Sequence, residues 1–403
     1  MKYLRHIFDY LPCILNYLRE VFYRVKKIFF SQEDDFLYSP PLPLFCRSCV
    51  FNVRNECCGG ACLCNSSFLF RSVKRQIHKF AAVMSTETVL SSQSVKSLAA
   101  DLGFAACGLS PAAPVERQVA ELMDRYVAEG RNADMDYLAR NREMRFDPAR
   151  LVPGTQTVVS VALNYYPGEK MNENGYTFSY YAYGKDYHTV VKQRLFELYR
   201  RISESLEPDG TPLSGRAFCD TAPVPERYWA YRCGIGFIGK NTLLVIPGAG
   251  SYFFLGELFL NLKADHYDEP MKSRCGNCTR CLDACPMHAL YEPYHMDARR
   301  CLSYLTIENR GEIPDEAAEA MSSCIYGCDR CQRACPHNNF ARPTDIDDFL
   351  PDRKLLDMTP DDWENLTEQQ YCELFRGSAV KRAKYSGLMR NIRAVNKERK
   401  NNG

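Results

Sequence analysis

The sequence predicts an α+β or α/β domain, then a compact cysteine-rich module, then a short helical C-terminal segment. Helical and β-branched segments alternate over about residues 84–270, the pattern of a mixed domain. Nine cysteines then crowd into residues 271–340, far too dense for incidental core positions. From 344 the chain turns acidic and, beyond 375, basic. A length of 403 residues is consistent with two or three such units.

Composition narrows the classes. Hydrophobic residues make up 46% and charged residues 25%, with a net charge of +2, so no global charge bias dictates a partner. Twenty cysteines mean either a secreted disulfide framework or metal ligation in a reducing compartment. A secreted chain needs a signal peptide, but the apolar residues of the N-terminus are interrupted by Arg5, Asp9, Arg19, Glu20, Arg24, Lys26 and Lys27. No stretch is long and apolar enough to span a bilayer. The expectation is a cytoplasmic monomer, free of membrane, whose cysteines serve metal.

Residues 1–83 form no sustained pattern. The clusters CRSC and CCGGACLC could build a zinc site, and residues 14–30 a basic amphipathic membrane helix. The regular sequence starts only at Met84, so 1–83 reads as upstream or dispensable extension.

Taken in order, SVKSLAADLGFAACGLS predicts a helix ending near Gly103 and then a strand. Residues 115–129 have helical periodicity and stop at Gly130; 157–166 read as a buried strand. Residues 186–206 form a long helix, and 242–246 and 251–262 further strands.

The cysteine runs carry the strongest chemistry. CGNCTRCLDACP, from Cys275 to Pro286, fits C-x2-C-x2-C-x3-C-P, the bacterial iron–sulfur run. Three thiolates on a tight loop hold three corners of a cubane, while the cysteine before proline reaches the neighbouring cluster. A second run, CDRCQRACP, spans Cys328 to Pro336. Reciprocal ligation assigns Cys275, Cys278, Cys281 and Cys335 to cluster one, and Cys285, Cys328 and Cys331 to cluster two. Cys301 and Cys324 both remain candidates for the last ligand. A zinc ribbon would not need two Cys-Pro endings.

A ferredoxin is much shorter than this chain, so the clusters are expected to feed a catalytic centre in the preceding domain. Gly234, Gly236 and Gly239 spell G-x-G-x-x-G, but a helical segment precedes them and no acidic ribose partner follows. They are expected instead to let backbone approach a different large, flat cofactor. Asp220 reads either as a general acid or, better on the residues alone, as the N-cap of a helix through 225–232.

Several segments in order resemble the epoxyqueuosine reductases: YYAYGKDYHTVVKQRL, DTAPVPERYWAYRCGIGFIGKNTLL, GSYFFLGELFLNL, both cysteine runs, DARRCLSYLTIENRGEIP and FRGSAVKRAKYSGLMRN. The resemblance covers about residues 90–395 and leaves 1–83 outside. It implies an α/β cobalamin-binding catalytic domain over 84–270, a two-cluster ferredoxin-like domain over 271–343, and a tRNA-contacting segment over 344–403. The implied reaction reduces the epoxide of epoxyqueuosine at the tRNA wobble position, with cobalamin, two 4Fe-4S clusters and an external low-potential electron donor. By resemblance, Asp220 is the proton donor and Cys301 the fourth ligand of cluster two. Arg145, Tyr183, Asp220, Lys240, Asn241 and Leu244 fall in segments implied to touch cobalamin. Burial beside an apolar macrocycle is expected to keep Asp220 protonated. Arg382, Lys384 and Arg390 in the basic tail are expected to meet tRNA phosphates, with Tyr385 either stacked on a base or packed. Two rivals are a cobalamin reductase of small molecules and a pure electron carrier.

Overall fold

Residues 88–206 and 212–402 are described by a computed structural model. The zinc-site and membrane-helix readings of 1–83 lie outside the described residues. Ser91 opens helix α1 (Ser92–Asp101) by accepting the Ser94 N–H at 3.3 Å. Gly103, at φ 82°, lets the chain leave it. Strand β1 (Ala106–Pro111), helix α2 (Arg117–Ala128), strand β2 (Thr157–Asn164) and helix α3 (Tyr187–Leu206) follow. Strand β3 (Gly215–Phe218), helix α4 (Glu226–Arg232) and strand β4 (Phe253–Leu260) complete the first domain.

The four strands form one sheet in the order β1-β2-β4-β3, every pair antiparallel. Of the two predicted fold forms, α+β is therefore the one built, because no parallel crossover joins these strands. Central strand β2 is apolar on both faces because both are covered. Val159, Val161 and Leu163 join a core with Val191, Leu195 and Leu198 of α3; Val158 and Ala162 face Trp229 of α4 and Phe259. Helix α4 lies close against the sheet: a Cβ at Gly108 would sit 1.8 Å from the Cys233 carbonyl oxygen. The predicted strand 242–246 shrinks to Leu244–Val245, paired with Phe237–Ile238 in a small hairpin.

The cysteine module contains short helices α5 (Arg280–Asp283), α6 (Leu302–Ile307) and α7 (Arg330–Arg333). Buried polar contacts lock it to the sheet domain. Asp329 accepts hydrogen bonds from the Ser179 hydroxyl and, at 2.7 Å, from Tyr180 N–H. Gln332 Nε2 donates to Ser251 O at 3.0 Å, and Asn338 Oδ1 accepts from Ser251 N–H at 2.7 Å. One apolar core runs from Leu90 to Val395 through both regions. Helix α8 (Lys384–Asn402) buries Leu388, Met389, Ile392 and Val395 in it. Its Asn391 donates to the carbonyls of Thr306 and Ile325 at 2.8 and 2.9 Å, so the basic tail is docked rather than free. No helix among the described residues is long and apolar enough to cross a membrane.

Candidate active site and cysteine centres

Strand β3 ends in the core at Phe218 and Cys219, and the chain then turns sharply at Asp220, whose φ is 52°. A non-glycine residue held there is strained, and such strain concentrates at functional sites. The capping expectation fails: the N-cap of α4 is Pro225, and no side chain caps it. The Asp220 carboxylate instead accepts a hydrogen bond from the Tyr187 hydroxyl and lies 3.4 Å from His188 Nε2. His188 is held from behind by Asp186, at 2.7 Å from Nδ1. Burial disfavours charge on His188, but hydrogen bonds to Asp186 and Asp220 outweigh it and push the imidazole up to about 9. Burial, reinforced by the Asp220 charge, drives the Tyr187 phenol far above its usual range, so it remains a donor. The chain itself leaves the Asp220 side chain 58% exposed.

Two further carboxyls stand behind this acid, and the motif reading missed both. Glu226 accepts the Asp220 backbone N–H, and burial together with the Asp220 charge pushes it up to about 8. Glu257, 0% exposed on β4, accepts the Ser160 hydroxyl at 3.0 Å, and its other oxygen has no partner. Burial and the nearby Glu226 raise its pKa well above 4.5. A lone acid inside the apolar run SYFFLGELFLNL was the available signal. The folded state thus binds a proton here that the unfolded chain releases above about pH 4.5, so stability falls as pH rises through that window. A Glu257→Gln chain is expected to lose less melting temperature between about pH 5 and about pH 8 than the parent, by on the order of 2–4 °C. Thermal melts at both pH values test this, and parallel curves would sink it.

The glycines of 234–239 serve the fold. A Cβ at Gly236 would lie 2.4 Å from Val245 O, and one at Gly234 2.8 Å from Glu269 O. Their close approach is to the chain's own backbone. Beyond them, Arg227 donates to Thr242 O at 2.6 Å, and Lys240 Nζ donates to Gly276 O and Cys278 O at 2.7 and 2.9 Å. One short loop therefore joins the neighbourhood of Asp220 to the first cysteine run.

The cysteines gather in two sets. Cys275, Cys278, Cys281 and Cys335 line one cavity together with Lys240, Asn241 and His337. In the second set, burial raises the Cys331 thiol, and neighbouring Cys328, Cys301 and Cys285 raise it further. Cys324 Sγ lies 3.1 Å from Gly327 O, a contact in which a protonated thiol donates to a backbone carbonyl. No trio of His, Cys, Asp or Glu among the described residues converges on one ion, whereas a cubane seats its thiolates on separate irons.

Known proteins extend this geometry. Residues 274–338 match the 4Fe-4S double cluster binding domain, and residues 145–221 match the family model for epoxyqueuosine reductase QueG, DUF1730. An epoxyqueuosine reductase of Leadbetterella byssophila is 43% identical over 304 residues, covering 75% of this chain and 98% of that protein. The Escherichia coli epoxyqueuosine reductase is 36% identical over 307 residues, 74% of this chain and 79% of that one. The chain belongs to the epoxyqueuosine reductase family. A solved epoxyqueuosine reductase bound to an epoxyqueuosine-modified tRNA-Tyr stem loop has a TM-score of 0.68 at 27% identity, over 75% of this chain and 80% of that one. A Bacillus subtilis epoxyqueuosine reductase, caught with its catalytic aspartate loop swung out of the active site, has a TM-score of 0.65 at 26% identity, over 75% and 80%.

In this member of the family, the remaining predicted site residues sit on several different elements. Arg145 is buried, donates to Tyr137 O at 2.9 Å, and leaves Nε without a partner. Tyr183 lies in the core with its hydroxyl 3.3 Å from the Met171 N–H, and Leu244 is buried in the small hairpin. Lys240 spends two of its donors on the cysteine loop. In the tail, Arg382 forms a bidentate pair with Glu308. Arg390 is committed elsewhere, donating to the carbonyls of Leu305, in the last turn of α6, and of Asn309 and Gly311 just after it. Tyr385 is packed, its hydroxyl 2.8 Å from Leu366 O. Lys384 is exposed, as are Arg376, Lys381 and Arg393.

Proposed function

We propose that this chain reduces the epoxide of epoxyqueuosine in tRNA to the alkene of queuosine, with Asp220 as proton donor. The carrying observation is the juxtaposition described above: an open, strained carboxyl braced by Tyr187 and His188, joined through Arg227, Thr242 and Lys240 to the first cysteine run. The reaction breaks both C–O bonds, consumes two electrons and two protons, and releases the oxygen as water. In the reaction Asp220 passes a proton to the leaving oxygen. The Tyr187 hydroxyl and charged His188 then face the carboxylate that remains, and Asp186 keeps the imidazole in place to return a proton.

Cys275, Cys278, Cys281 and Cys335 would hold one 4Fe-4S cluster, and Cys285, Cys301, Cys328 and Cys331 the other. Held there, the clusters would supply one-electron transfer from an external low-potential donor. Cobalamin would supply a metal centre able to take those electrons in turn and deliver them to the epoxide. Fit with a broad, amide-bearing macrocycle rests on the Arg145 Nε donor, buried without a partner, and on the exposed faces of Tyr137 and Met144 beside it. Domains over 84–270, 271–343 and 344–403 divide catalysis, electron delivery and tRNA contact. Lys384, with Arg376, Lys381 and Arg393, offers the free cations for phosphates; Arg382 would have to share its guanidinium with Glu308.

Anaerobic reconstitution of the full chain should yield about eight irons and one cobalamin, and convert epoxyqueuosine to queuosine in tRNA under single turnover. Iron and cobalamin without conversion would reject the substrate, and iron without cobalamin would leave an electron carrier.

A further inference from the structure

We propose that Asn241 donates a hydrogen bond from Nδ2 to cluster one and thereby raises that cluster's reduction potential. This rests on the double-cluster reading but assigns Asn241 a different task from the cobalamin contact expected by resemblance.

Asn241 is 4% exposed, and its Nδ2 has no hydrogen-bond partner. A buried amide donor is rarely left unmatched, and each such case calls for an explanation. The residue lines the cavity shared by Cys275, Cys278, Cys281 and Cys335. Its Oδ1 accepts the Leu243 N–H at 3.3 Å, so the amide oxygen is committed to the loop and the nitrogen remains for the cavity. Gly239 makes that orientation possible, since a Cβ there would come within 2.7 Å of Asn241 Oδ1. Thr242 follows at φ 67°, costly for a β-branched residue, and Arg227 pins its carbonyl. The loop is therefore built around this side chain.

Thiolate and sulfide are the acceptors a cubane presents to such a donor. A hydrogen bond to them stabilises the added electron, one of the protein's levers on cluster potential. Lys240 acts in the same direction, because its ammonium is fixed on the carbonyls of Gly276 and Cys278 beside the same cavity. Both groups reach the cluster that shares a loop with the Asp220 neighbourhood.

The test is a redox titration of the reconstituted full chain, followed by electron paramagnetic resonance, without tRNA. In Asn241→Leu, which keeps the branched shape but loses the donor together with the acceptor of the Leu243 N–H, the reduced-to-oxidised ratio of cluster one at fixed potential should fall about tenfold, or about 59 mV for one electron. Cluster two, the internal control, should titrate as in the parent. An unchanged cluster-one midpoint at full iron content overturns the proposal, as does unchanged titration accompanied by weakened cobalamin binding. If Asn241→Leu fails to load iron, Asn241→Ser, which keeps an O–H donor, is titrated beside Asn241→Ala. A lower midpoint in the alanine chain supports the proposal, and equal midpoints reject it. Because no turnover is read, absence of tRNA activity would leave this result standing.

Discussion

Asp220→Asn is expected to slow epoxide reduction by about 10²- to 10⁴-fold, the usual worth of a positioned general acid. Asparagine keeps the shape of the side chain and an oxygen that can accept from Tyr187, but it cannot release an acidic proton. Asp220 caps no helix and its side chain is 58% exposed, so folding and iron content should match the parent. The rate should be read as single-turnover formation of queuosine in tRNA, with iron measured on the same sample. A variant within about twofold of the parent would remove Asp220 from proton transfer and leave His188 as the nearest candidate. The pH profile provides a second reading. His188 stays charged until pH rises through about 9, so proton return to Asp220 should weaken above that value and not below it.

The second large effect separates two cysteines that spacing could not. Cys301→Ala should lose about four of eight irons, one cubane's content, whereas Cys324→Ala should keep all of them. Cys301 stands among Cys285, Cys328 and Cys331, while the Cys324 thiol is engaged with the Gly327 carbonyl. Equal iron loss in both variants, or loss confined to Cys324→Ala, would reverse the assignment. Iron and sulfide analysis of the purified chains decides it.

Much of the fold could be read from pattern alone. Helices α1, α2 and α3 and strands β2 and β4 appear close to their expected places, because each carries a helical period or an apolar run that its burial requires. The antiparallel order was invisible, since a strand covered on both faces looks the same in either kind of sheet. The cysteine module was legible because iron chemistry demands its spacing. The acid cluster was not: Tyr187, His188, Glu226 and Glu257 come from three separate elements, and only folding gathers them around Asp220. Charge misled in the tail, where Arg390 looked like a phosphate ligand and is used to satisfy carbonyls at the end of α6 and just after it.

The seam between the sheet domain and the cysteine module, closed by Ser179 on Asp329, Gln332 on Ser251 and a shared apolar core, has a kinetic consequence. Among the described residues, polar bonds and a shared core fix the cysteine module on the sheet domain, so an electron passing between them would cross a distance set once, when the chain folds. Turnover by such a chain would have no domain swing to wait for.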